Sequence, residues 1–251
     1  MIHRASAGLA ASIAVSVAGT RARALTPVGA VAAVAVGTAL ITGTSWRGAA
    51  TLGAFFTSSS ALSRVGKPNA VAAKGGRRDA SQVLANGGVA ALAALSAPLL
   101  GQSRATLLAA GALAAAAADT WATELGSLSP SAPRTLLTWR VTAPGTSGAV
   151  TPLGLLAAAG GALCVGLAAV PGSASGVARL AVAGVCGALV DSLLGATVQE
   201  RRWCPACATP TEATRHSCGT ATTVVGGIRG INNEVVNACC TLSGALLAGV
   251  L

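Results

Sequence analysis

Hydrophobic residues run along this chain in long blocks, and polar residues interrupt them at roughly the spacing of membrane-crossing helices, about 20 residues each. Eight blocks approach that length, near 5–20, 25–44, 48–63, 80–100, 105–123, 147–170, 177–198 and 232–251, the first and third being the weakest. The pattern predicts an all-α fold, a polytopic transmembrane helical bundle of about eight spans within a range of six to eight, in a single integral membrane domain over residues 1–251. Arg21 and Arg23 sit where a cleavable signal avoids positive charge, so the first block is read as an uncleaved helix.

Composition strengthens this reading. Of the 251 residues 53% are hydrophobic and only 10% charged, against about 25% charged in an ordinary soluble domain. Tyr is absent and Phe occurs twice, so the helices must meet through Ala and Gly, which allow backbones to approach closely. The net charge of +10 does not imply nucleic acid: the 17 basic residues are scattered between apolar runs, with few aromatics to stack on bases.

Lys and Arg favour cytoplasmic loops, which tests the span count. Under eight spans one side collects Arg21, Arg23, Arg64, Lys67, Lys74, Arg77, Arg78, Arg134, Arg140, Arg201, Arg202, Arg215 and Arg229, thirteen of the 17 basic residues. The other side has Arg4, Arg47, Arg104 and Arg179. This division predicts a cell-membrane protein with both termini outside and one sizeable cytoplasmic loop, residues 199–231.

The acidic residues number seven, and three of them, Asp119, Asp191 and Glu234, fall within predicted spans. A carboxylate at membrane depth is costly unless it meets a cation, water or hydrogen-bond donors, so such positions are functional candidates. Asp79 and Asn86 begin the fourth span, Asp119 and Glu124 end the fifth, Asp191 and Gln199 end the seventh, and Asn232, Asn233 and Asn237 open the eighth. All of these are cytoplasmic ends. Asp191, Gly195 and Gln199 recur every four residues and share a helix face, as do Asp119 and Thr123. Polar glue between helices, with Arg77, Arg140 or Arg229 as partners, is the alternative, but glue should be spread through the depth of a bundle.

Carboxylates beside Asn, Thr and Arg suit phosphoryl transfer. Asp119, Glu124 and Asp191 are the candidate catalytic or metal groups, holding Mg2+ that with Arg would neutralise phosphates during transfer. Arg77, Arg78 and Arg140 are candidate phosphate contacts, with Asp79, Asn86, Gln199, Asn232, Asn233 and Asn237 as further binding residues. The turn Ala143-Pro144-Gly145-Thr146-Ser147-Gly148 offers backbone N–H groups to a phosphate, or is simply a turn before a helix. No Gly-x4-Gly-Lys-Ser/Thr motif occurs, which excludes a P-loop kinase. With His3 and His216 as the only histidines, a serine triad is unsupported.

Cys164, Cys186, Cys239 and Cys240 lie in apolar helices as small hydrophobes. Cys204, Cys207, His216 and Cys218 in the long loop follow a C-x2-C-x8-H-x-C spacing that matches a closed structural zinc knuckle, reduced free thiols being the alternative.

Phe55-Phe56-Thr57-Ser58-Ser59-Ser60, Arg78-Asp79-Ala80-Ser81-Gln82 through Asn86-Gly87, and above all Asp119-Thr120-Trp121-Ala122-Thr123-Glu124-Leu125-Gly126 resemble strings of an integral membrane family. That family includes animal transmembrane protein 19 and the plant phytyl-phosphate kinase of tocopherol biosynthesis. The turn at Gly145, Thr146 and Gly148, the run from Asp191 to Gln199, and Asn232, Asn233 and Asn237 are similar too, so the resemblance covers about residues 25–251. It implies transfer of phosphate from a nucleoside triphosphate to a phytyl- or prenyl-type isoprenoid monophosphate, the lipid being the partner. The rival readings are a polyprenol kinase, a cytidylyltransferase-like enzyme, or a transporter of lipids or small molecules.

Overall fold

The computed structural model describes residues 2–65 and 77–251, so Lys67 and Lys74 lie outside the described residues. Each of the eight apolar blocks is helical. The helices are α1 (Ile2–Arg21), α2 (Pro27–Leu62), α3 (Ala80–Leu95), the short α4 (Ala97–Leu100), α5 (Gln102–Gly126), α6 (Pro152–Ala169), α7 (Ala174–Thr197) and α8 (Asn233–Val250). Among the described residues α2, α5, α6, α7 and α8 are each long and apolar enough to cross a membrane.

α2 holds the second and third blocks. Its 36 residues would extend about 54 Å as one straight helix, well beyond an apolar core of about 30 Å. It does not run straight. At Ser45 φ is +63° and ψ −162°, a conformation that L residues adopt rarely, and the chain reverses there. The reversal shows in what meets across it: a Cβ at Gly37 would lie 3.7 Å from Leu52 Cδ2, and one at Gly19 would touch both Leu25 and Phe56. Residues 27–44 and 46–62 are therefore two antiparallel helices sharing a tight turn. Trp46, 57% exposed at that turn beside Arg47, suits an interfacial anchor.

The fourth block breaks where Pro98 has no N–H to give the Ala94 carbonyl, which separates α3 from α4. Gly43 of α2 comes up against that same carbonyl, leaving no room for a Cβ. α5 is the central helix and touches α2, α3, α6, α7 and α8. Its residues from Ala109 to Ala118 are wholly buried, and nearly all are alanine. The outside is apolar: Leu92, Leu156 and Leu99 are 70%, 73% and 88% exposed, as a lipid-facing surface requires. Buried hydroxyls return to backbone carbonyls, Thr44 to Leu40 at 2.7 Å and Thr241 of α8 to Ala85 of α3 at 3.2 Å.

Strands appear outside the bundle. Residues 199–231, expected only as a loop, form an antiparallel sheet of β3 (Arg201–Cys204), β4 (Thr209–Thr211) and β5 (Thr223–Gly226) in the order β4-β3-β5. A two-residue pair, β1 (Arg134–Thr135) with β2 (Ala149–Val150), closes the connection before α6. Glu200 pins the base of the larger insert. Its N–H donates to the Ile231 carbonyl at 2.7 Å, while its carboxylate accepts from the Gly230 N–H at 2.6 Å and pairs with Arg202. The Gly230 hydrogen bond, with Arg202 after it, holds that carboxyl below its usual range.

Long-range contacts place the ends of the elements. Arg77 donates to the Leu25 carbonyl, Arg78 to Ser60, Ser63 to Glu124, and Ser147 to Gln199, joining the connections after α1, α2 and α5 and the end of α7 at one end of the bundle. At the opposite end Arg179 donates to the Ala248 carbonyl at 2.8 Å. The described basic residues divide between these two ends as the spans predict.

Candidate functional site

Two polar groups occupy the basic end, on different sides of α5. The first is a cavity of about 320 Å3 lined by Arg23, Arg64, Arg77, Arg78, Ser60 and Ser63. Its guanidiniums are braced rather than loose. Residues 24–26 pair with Arg78 through two backbone hydrogen bonds of 2.9 Å. Arg77 donates to the Leu25 carbonyl from Nη2 at 3.1 Å, and Arg64 to the Ala22 carbonyl at 3.3 Å. Arg78 donates to Ser60 Oγ at 2.8 Å and lies 5.8 Å from the centre of the Phe56 ring. Burial pulls the Arg78 guanidinium below its ordinary range, and the Glu124 carboxylate opposes that shift. Ser63 Oγ donates to Glu124 Oε1 at 2.7 Å, which ties Glu124 to this basic group.

The second group is acidic. Asp119 of α5 and Asp191 of α7 lie within electrostatic reach of one another, and Glu212 of the insert bears on Asp191 as well. Asp191 Oδ2 is buried and accepts no hydrogen bond among the described residues. An orphaned carboxylate oxygen of this kind is expensive without a cation or donor. Gln199 ties the insert to this group: its Nε2 donates to Glu212 Oε1 at 3.1 Å, and its Oε1 accepts from Ser147 Oγ at 2.6 Å.

The candidate catalytic set therefore divides. Asp119 and Asp191 stand together, whereas Glu124, five residues along α5 and about 140° around it, faces the arginines. Trp121 between them donates to Ser58 Oγ at 3.2 Å and fixes α5 against α2.

The other candidates have local partners. Asp79 caps α3 in a reciprocal capping box with Gln82, and Asn232 caps α8 by accepting from Val235 N–H at 3.1 Å. Asn86 and Asn237 donate back to their own helices, to the Gln82 and Asn233 carbonyls. Asn233 opens α8 beside its cap. Arg140 is exposed in the connection before α6 and does not line the cavity. The glycine turn packs on α7 itself. Gly145 and Gly148 have φ of +83° and +73°, Thr146 Oγ1 donates to the Ala143 carbonyl at 2.7 Å, and Gly195 leaves the space that Ser147 and Gly148 fill. Arg23, Arg64, Ser60 and Ser63 join the site only through the tertiary fold; in sequence, the two arginines were topology charges, Ser60 ended a serine run and Ser63 carried no signal.

Among the described residues one group of three or more His, Cys, Asp or Glu side chains gathers tightly enough to hold a metal: Cys204, Cys207, His216 and Cys218, with ligand atoms within 4.8 Å of one another. Hydrogen bonds with Thr220 and His216 hold the Cys218 thiol down at about 5, and hydrogen bonding to Cys218 pushes Cys207 up to about 11.

The family described as "Integral membrane protein DUF92" matches residues 10–245. "Protein PGR" of Arabidopsis thaliana is 37% identical over 183 residues, 60% of this chain and 64% of its own length, so the alignment leaves about a third of that relative uncovered. An uncharacterized membrane protein of Methanocaldococcus jannaschii is 33% identical over 201 residues, covering 78% of this chain and 72% of its own. No solved structure matches the chain. From within α1 to within α8 the family match takes in the arginine cavity, the carboxylate pair and the Cys/His cluster alike, and the chain belongs to this integral membrane family.

Proposed function

We propose that the protein is a cell-membrane kinase that transfers a phosphoryl group from a nucleoside triphosphate to an isoprenoid monophosphate, with its working end toward the cytoplasm. The observation that supports this reading is that the basic end carries both a four-arginine cavity and, on another side of α5, a buried carboxylate pair with an unpartnered oxygen. The positive-inside rule supports the orientation, and the resemblance to the plant phytyl-phosphate kinase supports the acceptor class.

The arginines and serines of the cavity would take the lipid monophosphate, its tail lying along the apolar outside of the helices. Asp119 and Asp191 fit Mg2+, which commonly takes one or two carboxylates and completes its shell with waters and substrate phosphates. Bound there, the ion would neutralise charge on the nucleotide phosphates. An oxygen of the lipid monophosphate attacks the terminal phosphorus, the bond to the bridging oxygen breaks, and the nucleoside diphosphate departs with that oxygen. The cavity residues would bind the attacking phosphate, and Glu124 fixes Ser63 by accepting its hydroxyl hydrogen bond.

The test is phosphotransfer by detergent-purified protein with Mg2+, labelled ATP or CTP, and phytyl or geranylgeranyl phosphate. Lipid diphosphate is the expected product; no product with either donor and either lipid overturns the proposal. A charged hydrogen bond is worth about 1.5–3 kcal/mol, so Arg78→Ala is expected to raise KM for the lipid phosphate about tenfold or more. Arg140→Ala, outside the cavity, is expected to change it less than about threefold. Equal effects of the two substitutions would remove the cavity from the reading.

A further inference from the structure

We propose that Cys204, Cys207, His216 and Cys218 hold one zinc ion, and that this ion folds the 199–231 insert over the end of α7. Two independent observations support it. The first is geometric. Cys204 Sγ lies 3.7 Å from Cys218 Sγ, and His216 Nδ1 lies 3.2 Å from the same sulfur. With Zn–S bonds of about 2.3 Å, two sulfurs of a tetrahedral site stand about 3.8 Å apart. A disulfide needs sulfurs about 2.05 Å apart and would leave the third thiol and the histidine without a reason to converge.

The second observation is what the insert lacks. Of residues 201–231 only Cys204 and Thr211 are buried, while Trp203, Val224, Val225 and Ile228 all remain exposed. A three-stranded sheet with no apolar interior cannot hold itself together, and folds of this size are stapled by metals or disulfides. The candidate ligands sit where a staple would act. Cys204 ends β3, Cys207 lies in the turn to β4, and His216 and Cys218 lie in the connection to β5. That connection is shaped in advance by the His216 N–H to the Thr220 carbonyl at 2.9 Å and the Gly219 N–H to the His216 carbonyl at 2.8 Å. The ion would thus join all three strands. Because β4 leads directly into Glu212, the same staple would hold that carboxylate on Gln199 and beside Asp191.

The experiment is metal analysis of the full chain, purified in detergent under reducing conditions without chelator, together with a count of its seven thiols. About one zinc per chain is expected, lost in Cys204→Ser and Cys218→Ser, kept in Cys218→His, and kept in Cys164→Ser, which lies in α6. Replacement by Co2+ is expected to give the visible bands of a tetrahedral thiolate site, a readout that stands even if a serine variant fails to accumulate. Stripping the metal is expected to open residues 199–231 to protease while the helical bundle stays intact. A native chain without zinc overturns the proposal, as does a disulfide within the insert. None of these readouts depends on phosphotransfer, so the zinc site and the kinase reading stand or fall separately.

Discussion

Asp119→Asn and Asp191→Asn are each expected to cut phosphotransfer at least about a hundredfold while the protein inserts and extracts as the native chain does. The size follows from removing a carboxylate that would hold the ion neutralising the reacting phosphates, electrostatic stabilisation worth about two to three orders of magnitude in sites of this type. Asparagine keeps the volume and one carbonyl oxygen, so the packing of α5 against α7 is preserved. The sign of the stability change is the sharper part of the prediction. Asp119 and Asp191 bear on one another, and Asp191 Oδ2 has no hydrogen-bond partner among the described residues. Two such groups cost free energy at membrane depth, so neutralising either is expected to raise thermal stability in detergent as activity falls. If the pair were merely polar glue, the same changes would lower stability and leave any activity nearly untouched. Full activity in both variants would sink the reading. Asp79→Ala and Asn232→Ala supply the contrast, because each removes a helix cap and is expected to cost about 1 kcal/mol of stability with a small effect on rate.

The helices were legible in the sequence because each is a continuous apolar block, and the gathering of most described basic residues at one end of the bundle because they fall in alternate connections between blocks. The turn at Ser45 was visible only as the run Thr42 to Arg47; beside it Gly48 leaves room for Thr44 Oγ1, and Gly43 lets the Ala94 carbonyl of α3 come near. The division of the acidic residues was not legible. Helical periodicity gives the angle between Asp119 and Glu124 but cannot say that α7 lies on one side and the end of α2 on the other. Likewise Arg23 and Arg64 enter the cavity because residues 22–26 run beside Arg77 and Arg78, a pairing over more than fifty residues of chain. The insert's strands were hidden for a different reason: with almost nothing buried, they carry no alternation of apolar and polar positions, and the legible signal there was the ligand spacing.

Gly184→Leu and Gly187→Leu are expected to abolish the folded protein, each costing about 3 kcal/mol or more, read as loss of a monodisperse detergent extract. In lipid, helices gain nothing from hiding apolar surface, so close backbone contact and dispersion must hold the bundle together. A Cβ at Gly184 would stand 2.7 Å from Ala162 Cβ and 2.9 Å from the Ala114 carbonyl oxygen; one at Gly187 would stand 2.6 Å from Ala115 Cβ and 2.8 Å from the Cys240 carbonyl oxygen. Side chains can swing aside, but helix carbonyls cannot, so α7 would have to move away from α5 and α8 along its length. Gly53 and Gly88 have nothing within 4 Å of the corresponding position, and Gly53→Ala and Gly88→Ala are expected to be neutral or slightly stabilising. Pairing Gly187→Ala with Ala115→Gly separates the two obstacles: removing the alanine methyl is expected to restore only part of the loss, because the Cys240 carbonyl remains. Full restoration would mean that methyl crowding, and not the approach of backbones, sets the spacing of the central helices, and wild-type yield of Gly184→Leu would mean that α7 does not pack on α5 at all.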